Sequence, residues 1–205
     1  MVQHILWDFD GTLFDTYPVM AAVFERMLRE RGIMEPPEEI ESYMRVSMTV
    51  ALRHYGEKHA LDEAFLVEYK HRRQEAEKHA CHPFPGVEAL LQHICESGRA
   101  NYLYTHRSES TFDLLQRHGL TGCFTDFVTS AQSFARKPSP DAIRYLMEKH
   151  RMDQDTAVMI GDRDLDILAA RNAGIHSIFF GPHGECCVTA DVSVCSIGEL
   201  AALLA

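Results

Sequence analysis

HILWDFDGTLFDT, residues 4–16, is the stretch on which the fold turns. Ile5, Leu6 and Trp7 form a short apolar run that predicts a buried strand, and the run breaks into Asp8 and Asp10 with Gly11 directly behind. Two carboxylates thus meet at a strand end, and a spacing of two along a strand turns both to one face. Held this close they repel, at a cost in free energy unless a cation, a shared proton or solvent offsets it. A hard divalent cation is the simplest offset. Asp-Gly is also a common turn pair, and the dipeptide alone does not separate a turn from a site. Gly11 allows a tight turn whose amides can face an anion.

Outward from this stretch, residues 15–82 read as helix. Asp15 is placed to cap a first helix with Thr16, Tyr17 and Pro18 in its opening turn. Val19, Val23, Phe24, Met27 and Leu28 then recur at helical spacing up to Gly32. A second helical segment begins near Pro36, weakens at Ser47 and runs on to a stop at Gly56. A third opens at Asp62 and contains neither Gly nor Pro.

From Phe84 onward, helices alternate with short apolar runs at Asn101–Tyr104, Phe124–Val128, Thr156–Ile160, His176–Phe180 and near Val192. Asp164 is expected to cap the helix that Gly174 closes. The alternation predicts an α/β fold with a doubly wound parallel sheet, and such sheets bind ligands at the carboxyl ends of their strands. Residues 1–14 and 83–205 form this Rossmann-like core, and 15–82 form an inserted α-helical cap domain.

Length and composition set outer bounds. With 205 residues, 46% hydrophobic and 24% charged, the chain is an ordinary globular protein with a sizeable core. A formal net charge of −10 argues against nucleic-acid or anionic-membrane partners. No stretch is long and apolar enough to span a bilayer, and MVQHILWDFD lacks the signature of a secretory signal, so a cytoplasmic location is expected. The six cysteines, at 81, 95, 123, 186, 187 and 195, contain no CxxC pair and are expected to be reduced. His79, Cys81 and His82 cluster without the second half of a metal site and read as a helix end with surface histidines.

Three further groups fall at or just beyond predicted strand ends. Thr105 follows NYLY and offers a hydroxyl to an anion. Lys137, in ARKPSPD, is a point charge suited to a phosphoryl group. IGDRDLD places Asp162 after a strand and Asp166 four residues on, one helical turn later. Each is weak alone; together with DFDGT, in this order, they are specific.

The set resembles the four motifs of the haloacid dehalogenase superfamily, and the resemblance covers almost the whole chain, most closely its phosphoglycolate-phosphatase-like members. It implies a Mg²⁺-dependent phosphomonoester hydrolase acting on a small phosphorylated metabolite, phosphoglycolate among the candidates. By the same resemblance Asp8 is the nucleophile that becomes an aspartyl-phosphate, Asp10 the acid and then the base, and Thr105 and Lys137 the phosphoryl-binding groups. The implied metal shell is Asp8, Asp10 through its backbone carbonyl, and Asp162, with Asp166 as a ligand or as support for the shell and the lysine. Where the family commonly has Asn after the Thr, this chain has His106, a candidate substrate contact.

Alternatives within and outside the superfamily are a sugar phosphomutase and a non-catalytic phosphate-binding protein. Phosphomutases of this type usually carry a His near position 20, where this chain has Met20. Dehalogenases lack the second Asp, whereas Asp10 is present. In this family the cap selects substrate, and its polar candidates are Arg45, Arg53, His54 and Lys58. Arg45, in MRVSMT, is the one placed to bind an anionic leaving group.

Overall fold

The six strands are β1, His4–Trp7; β2, Ala100–Tyr104; β3, Phe124–Val128; β4, Ala157–Gly161; β5, His176–Phe180; and β6, Val192–Val194. In the computed structural model, which describes residues 2–205, they form one sheet in the order β3-β2-β1-β4-β5-β6. Every pairing is parallel. β1 therefore lies between β2 and β4, where the strand order reverses, and this is the crevice in which open α/β sheets bind ligands. Ile5, Leu6 and Trp7 are fully buried, as a central strand covered on both faces requires.

Nine helices lie among the described residues: α1, Tyr17–Glu30; α2, Pro37–Val46; α3, Met48–His59; α4, Glu63–Ala80; α5, Val87–Glu96; α6, Ser110–Arg117; α7, Asp141–His150; α8, Asp164–Ala173; and α9, Ile197–Leu204. Leu6, Tyr102, Tyr104 and Met159 share one sheet face and pack with Ala142, Ile143 and Leu146 of α7 and Ala169, Ala170 and Ala173 of α8. The small alanine side chains let α8 approach the sheet closely. Gly161, the last residue of β4, completes that approach, because a Cβ there would collide with the Asp166 side chain.

The chain divides into two compact units. One runs to Phe14 and resumes over Pro83–Ala205; the other is Asp15–His82. The second unit holds α1 to α4 around its own core. At its centre Phe24, fully buried, meets the Phe65 and Tyr69 rings edge-on at 5.4 and 5.0 Å. Ser47 caps α3 by accepting from the Val50 amide, and Asp62 caps α4 by accepting from Phe65.

Three local expectations need correction. Thr16, not Asp15, is the N-cap of α1. Gly56 does not stop its helix: α3 continues to His59 and ends at Ala60, which adopts a left-handed φ of 50°. A mid-helix Gly costs only about 1 kcal/mol, and burial of Tyr55 with the Lys58 and His59 pairs to Glu35 favours the continued turn. Asp164 is the first residue of α8 rather than its cap; the cap is Arg163, and the side chain that closes the turn is Asp166, accepting from the Arg163 amide at 3.1 Å.

All six cysteines are free. No helix among the described residues is long and apolar enough to cross a membrane.

Candidate active site

The site starts where β1 ends. Asp8 lies one residue beyond the strand, its amide donating to Ile160 O at 2.9 Å, so β4 holds its backbone. The expectation that Asp8 and Asp10 share a strand face is not met, because the strand stops at Trp7. A tight loop places Asp10 instead. Phe9 O accepts from the amides of Leu13 and Phe14 at 3.1 and 3.0 Å, and Gly11 N donates to Phe14 O at 2.8 Å. Gly11 has φ of 75°, a left-handed value that a glycine adopts at little cost. The Phe9 and Phe14 rings stack at 4.6 Å beneath it, which stiffens the loop.

Lys137 is the hub. Its side chain is wholly buried, with Nζ 2.5 Å from Asp8 Oδ1, 2.6 Å from Asp166 Oδ1 and 2.9 Å from Tyr104 O. It also stands 4.4 Å above the Tyr104 ring. Burial acts to lower its pKa, but Asp166 and Asp8 outweigh that and leave the ammonium above its usual range. For Asp8 the balance differs. Burial pushes its carboxyl up to about 6, with Asp166 adding to the push and Lys137 opposing it. The protein thus holds a carboxylate in a place that disfavours its charge, which calls for further positive charge nearby.

Oxygens of Asp8, Asp162 and Asp166 lie within 4.8 Å of one another. This is the only such cluster of three or more potential metal ligands among the described residues, and His79, Cys81 and His82 are not brought together in one. Asp8 Oδ2 is buried and has no hydrogen-bond partner. An oxygen-only donor set with an orphaned anionic atom fits a hard divalent cation. Asp166 accepts the Arg163 amide at Oδ2, while its Oδ1 is ion-paired with Lys137 but, like Asp8 Oδ2, makes no hydrogen bond. Asp162 receives the Thr12 hydroxyl at 3.4 Å.

Two arginines that the sequence reading passed over belong to this site. Arg107, buried, pairs with Asp10 through Nη1 at 2.8 Å and lies 5.3 Å over the Phe9 ring. Its amide donates to Thr105 Oγ1 at 3.2 Å. Arg163 reaches to 4.0 Å from Asp8, 4.0 Å from Asp162 and 3.9 Å from Asp166. The signal for both was their position, one or two residues beyond a motif residue at a strand end.

His106 has an internal role. Its Nε2 accepts from the Lys137 amide at 3.0 Å, tying the β2 loop to the segment that carries the lysine. Burial, then the charges of Lys137 and Arg136, lowers its pKa to about 3. The ring therefore stays neutral at physiological pH, as an acceptor at Nε2 must be. Thr105 and His106 also border an open cavity of about 190 Å³, lined on other sides by Ser130, Phe134 and Arg136. Arg45 is found in the helical unit at the end of α2, where it pairs with Glu41 Oε1 at 2.7 Å and lies 4.8 Å over the Tyr17 ring.

A family model described as haloacid dehalogenase-like hydrolase matches residues 5–180. A phosphoglycolate phosphatase of Vibrio vulnificus (strain CMCP6) is 29% identical over 201 residues, covering 90% of this chain and 87% of its own. The crystal structure of a hydrolase from Streptococcus pneumoniae TIGR4 superposes with a TM-score of 0.71 at 30% identity, over 99% of this chain and 98% of that one. A family hydrolase from Deinococcus radiodurans R1, at 21% identity over 99% and 95% of the two chains, shares the fold with a TM-score of 0.83.

Proposed function

The chain belongs to the haloacid dehalogenase-like hydrolases, and on that premise we propose that it is a Mg²⁺-dependent phosphomonoester hydrolase working through an aspartyl-phosphate on Asp8. The observation that carries the reading is Asp8 itself: buried, held at one oxygen by Lys137, and left without a hydrogen-bond partner at the other. A carboxylate so fixed and desolvated is a good nucleophile and a poor structural ion pair.

In this reading a carboxylate oxygen of Asp8 attacks phosphorus and the ester bond breaks. Asp10 protonates the leaving oxygen, then takes a proton from the water that opens the acyl-phosphate. Arg107 holds Asp10 in place, and the Lys137 ammonium faces the charge that gathers on the phosphoryl oxygens. Asp8, Asp162 and the Asp10 backbone carbonyl would hold Mg²⁺, with Asp166 and Lys137 bracing them. The ion, when bound, supplies Lewis-acid neutralisation of the phosphoryl charge. Phosphate release should therefore need Mg²⁺ after chelation, and Ca²⁺, which takes more oxygens at longer distances, should substitute poorly. Equal rates with the two ions would contradict the proposed shell.

Asp10→Asn should bind phosphate and metal much as wild type does, because an amide oxygen can still accept from Arg107. Turnover should fall roughly 10²- to 10³-fold, as for loss of a general acid-base group. Steady-state kinetics on an aryl phosphate checks it, since a good leaving group needs less protonation and should show a smaller loss. A uniform loss of only a few-fold would remove Asp10 from the proton-transfer role.

The substrate we favour is a small anionic phosphate ester of the phosphoglycolate kind, the activity for which the Vibrio relative is named. Arg45 is the proposed contact for its carboxylate, by two parallel hydrogen bonds from a guanidinium that Glu41 and Tyr17 already orient. Arg45→Ala should then reduce kcat/KM for phosphoglycolate by roughly tenfold or more relative to an uncharged aryl phosphate, as the loss of a charge-assisted contact implies. A ratio between the two substrates that stays the same assigns Arg45 to the helical unit's own ion pairs.

A further inference from the structure

At the amino-terminal edge of the sheet, opposite the strand ends that carry Asp8, two cysteines stand together. Cys95 lies near the end of α5, and Cys123 closes the short 3₁₀ turn Thr121–Cys123 that feeds β3. They are far apart in sequence, yet Cys95 Sγ is 3.1 Å from the Cys123 carbonyl oxygen. Cys95 is an exposed residue and Cys123 a half-buried one.

A single amide organises the pair. Asn101, in β2 and fully buried, donates through Nδ2 to Cys123 O at 3.2 Å and lies 3.5 Å from Cys95 Sγ. Its Oδ1 accepts from Trp7 Nε1 at 2.9 Å. A buried Asn with both ends engaged fixes the loops around it, and it joins the two cysteines to the only tryptophan of the chain.

We propose that Cys95 and Cys123 are an oxidation site that closes to a reversible disulfide on exposure to a peroxide. The exposed Cys95 sulfur, as thiolate, attacks one peroxide oxygen; the O–O bond breaks and leaves a sulfenic acid on Cys95 and hydroxide from a hydrogen peroxide. The Cys123 sulfur then attacks the Cys95 sulfur, the S–O bond breaks, and the oxygen leaves as water with the proton from the Cys123 thiol. Two thiols lose two electrons, and the peroxide is reduced to two waters. The order of attack follows from access, since Cys95 is the more exposed residue; burial, then the neighbouring Cys95, raises the Cys123 thiol above its usual range, in keeping with its place as the resolving partner. Cys186 and Cys187 are adjacent in sequence but a poorer pair, since neighbouring Cα atoms sit about 3.8 Å apart, below the usual disulfide span.

The test treats the full chain with one equivalent of hydrogen peroxide, alkylates remaining thiols, and maps the peptides while Trp7 emission is followed in parallel. The expected product is a Cys95–Cys123 link that forms roughly tenfold faster than any link involving Cys186 or Cys195, because the Cys95 sulfur already lies against the Cys123 backbone. Dithiothreitol should reverse it, and the Trp7 emission should change with the same time course in both directions. Cys95→Ser and Cys123→Ser should each lose the link and the emission change and keep phosphate release before oxidation. Cys95 passing unlinked to sulfinic acid, a preferred link elsewhere, or an emission change that survives in Cys95→Ser would each overturn the proposal. Because wild-type mapping decides it and no step needs the phosphatase chemistry, the result is independent of the function proposed above.

Discussion

Asp8→Asn is expected to remove turnover, with kcat falling on the order of 10⁴-fold or more, while the protein stays folded. An amide cannot form the acyl-phosphate and return a carboxylate to the next cycle. The same substitution is mild for stability. Burial already holds the Asp8 carboxyl up to about 6, so the native environment disfavours the charge that Asn removes, and the side chain keeps its shape. Lys137 is not stranded, because Asp166 remains 2.6 Å from its ammonium. The expected pair of results is an unchanged or slightly raised melting temperature and no phosphate release above background, with no phosphoenzyme trapped by acid quench. Turnover by a homogeneous preparation of Asp8→Asn would take the nucleophile role away from Asp8.

The parts of this site that were legible in the sequence share one property: each is specified by local pattern, just past a strand end for Asp8, Thr105 and Asp162 and in the loop before α7 for Lys137. An apolar run broken by Asp8, a Lys before a Pro and an Asp after Gly161 can all be read without knowing what lies across the crevice. Arg107 is marked locally by its place two residues past Thr105, but its role is not legible there, since its partner Asp10 is distant in sequence and only the β1-β2 pairing brings them together. His106 was visible as a departure from the family pattern, but its partner is a backbone amide, and backbone partners leave no trace in side-chain identity. The misplaced caps have a similar cause. Asp164 and Asp166 both suit a helix start, and the choice was made by Arg163, whose extended backbone, φ −127° and ψ 151°, puts the cap one residue earlier and brings Asp166 to the N3 position. At Gly56 a weak local preference for ending the helix gave way to side-chain packing and ion pairs formed beyond it.

Lys137→Ala is the substitution expected to damage both stability and rate. The ammonium separates Asp8 from Asp166, two carboxylates that are almost wholly buried, and its removal leaves them facing one another in a site with little solvent. Breaking a buried pair by deleting one partner typically costs about 3–5 kcal/mol. Arg163, about 4 Å from both carboxylates, offsets part of this, so the lower end of the range applies. The Asp8 carboxyl, already raised by burial, should rise further without Lys137 and spend more time protonated, which withdraws the nucleophile. Loss of charge stabilisation on the transferring phosphoryl group adds to that, and together these should lower kcat roughly 10³- to 10⁵-fold, as for other cationic groups in phosphoryl transfer. Lys137→Met separates charge from cavity, because it refills most of the space without restoring the ammonium. Both variants should be inactive, Met should recover a portion of the stability, and added Mg²⁺ should raise the melting temperature of each by more than it raises that of wild type, since a cation in the carboxylate cluster replaces part of the missing charge. A Lys137→Met protein that turns over within about tenfold of wild type, against the loss expected for a charge-stabilising group, would show that the ammonium serves the fold and not the reaction.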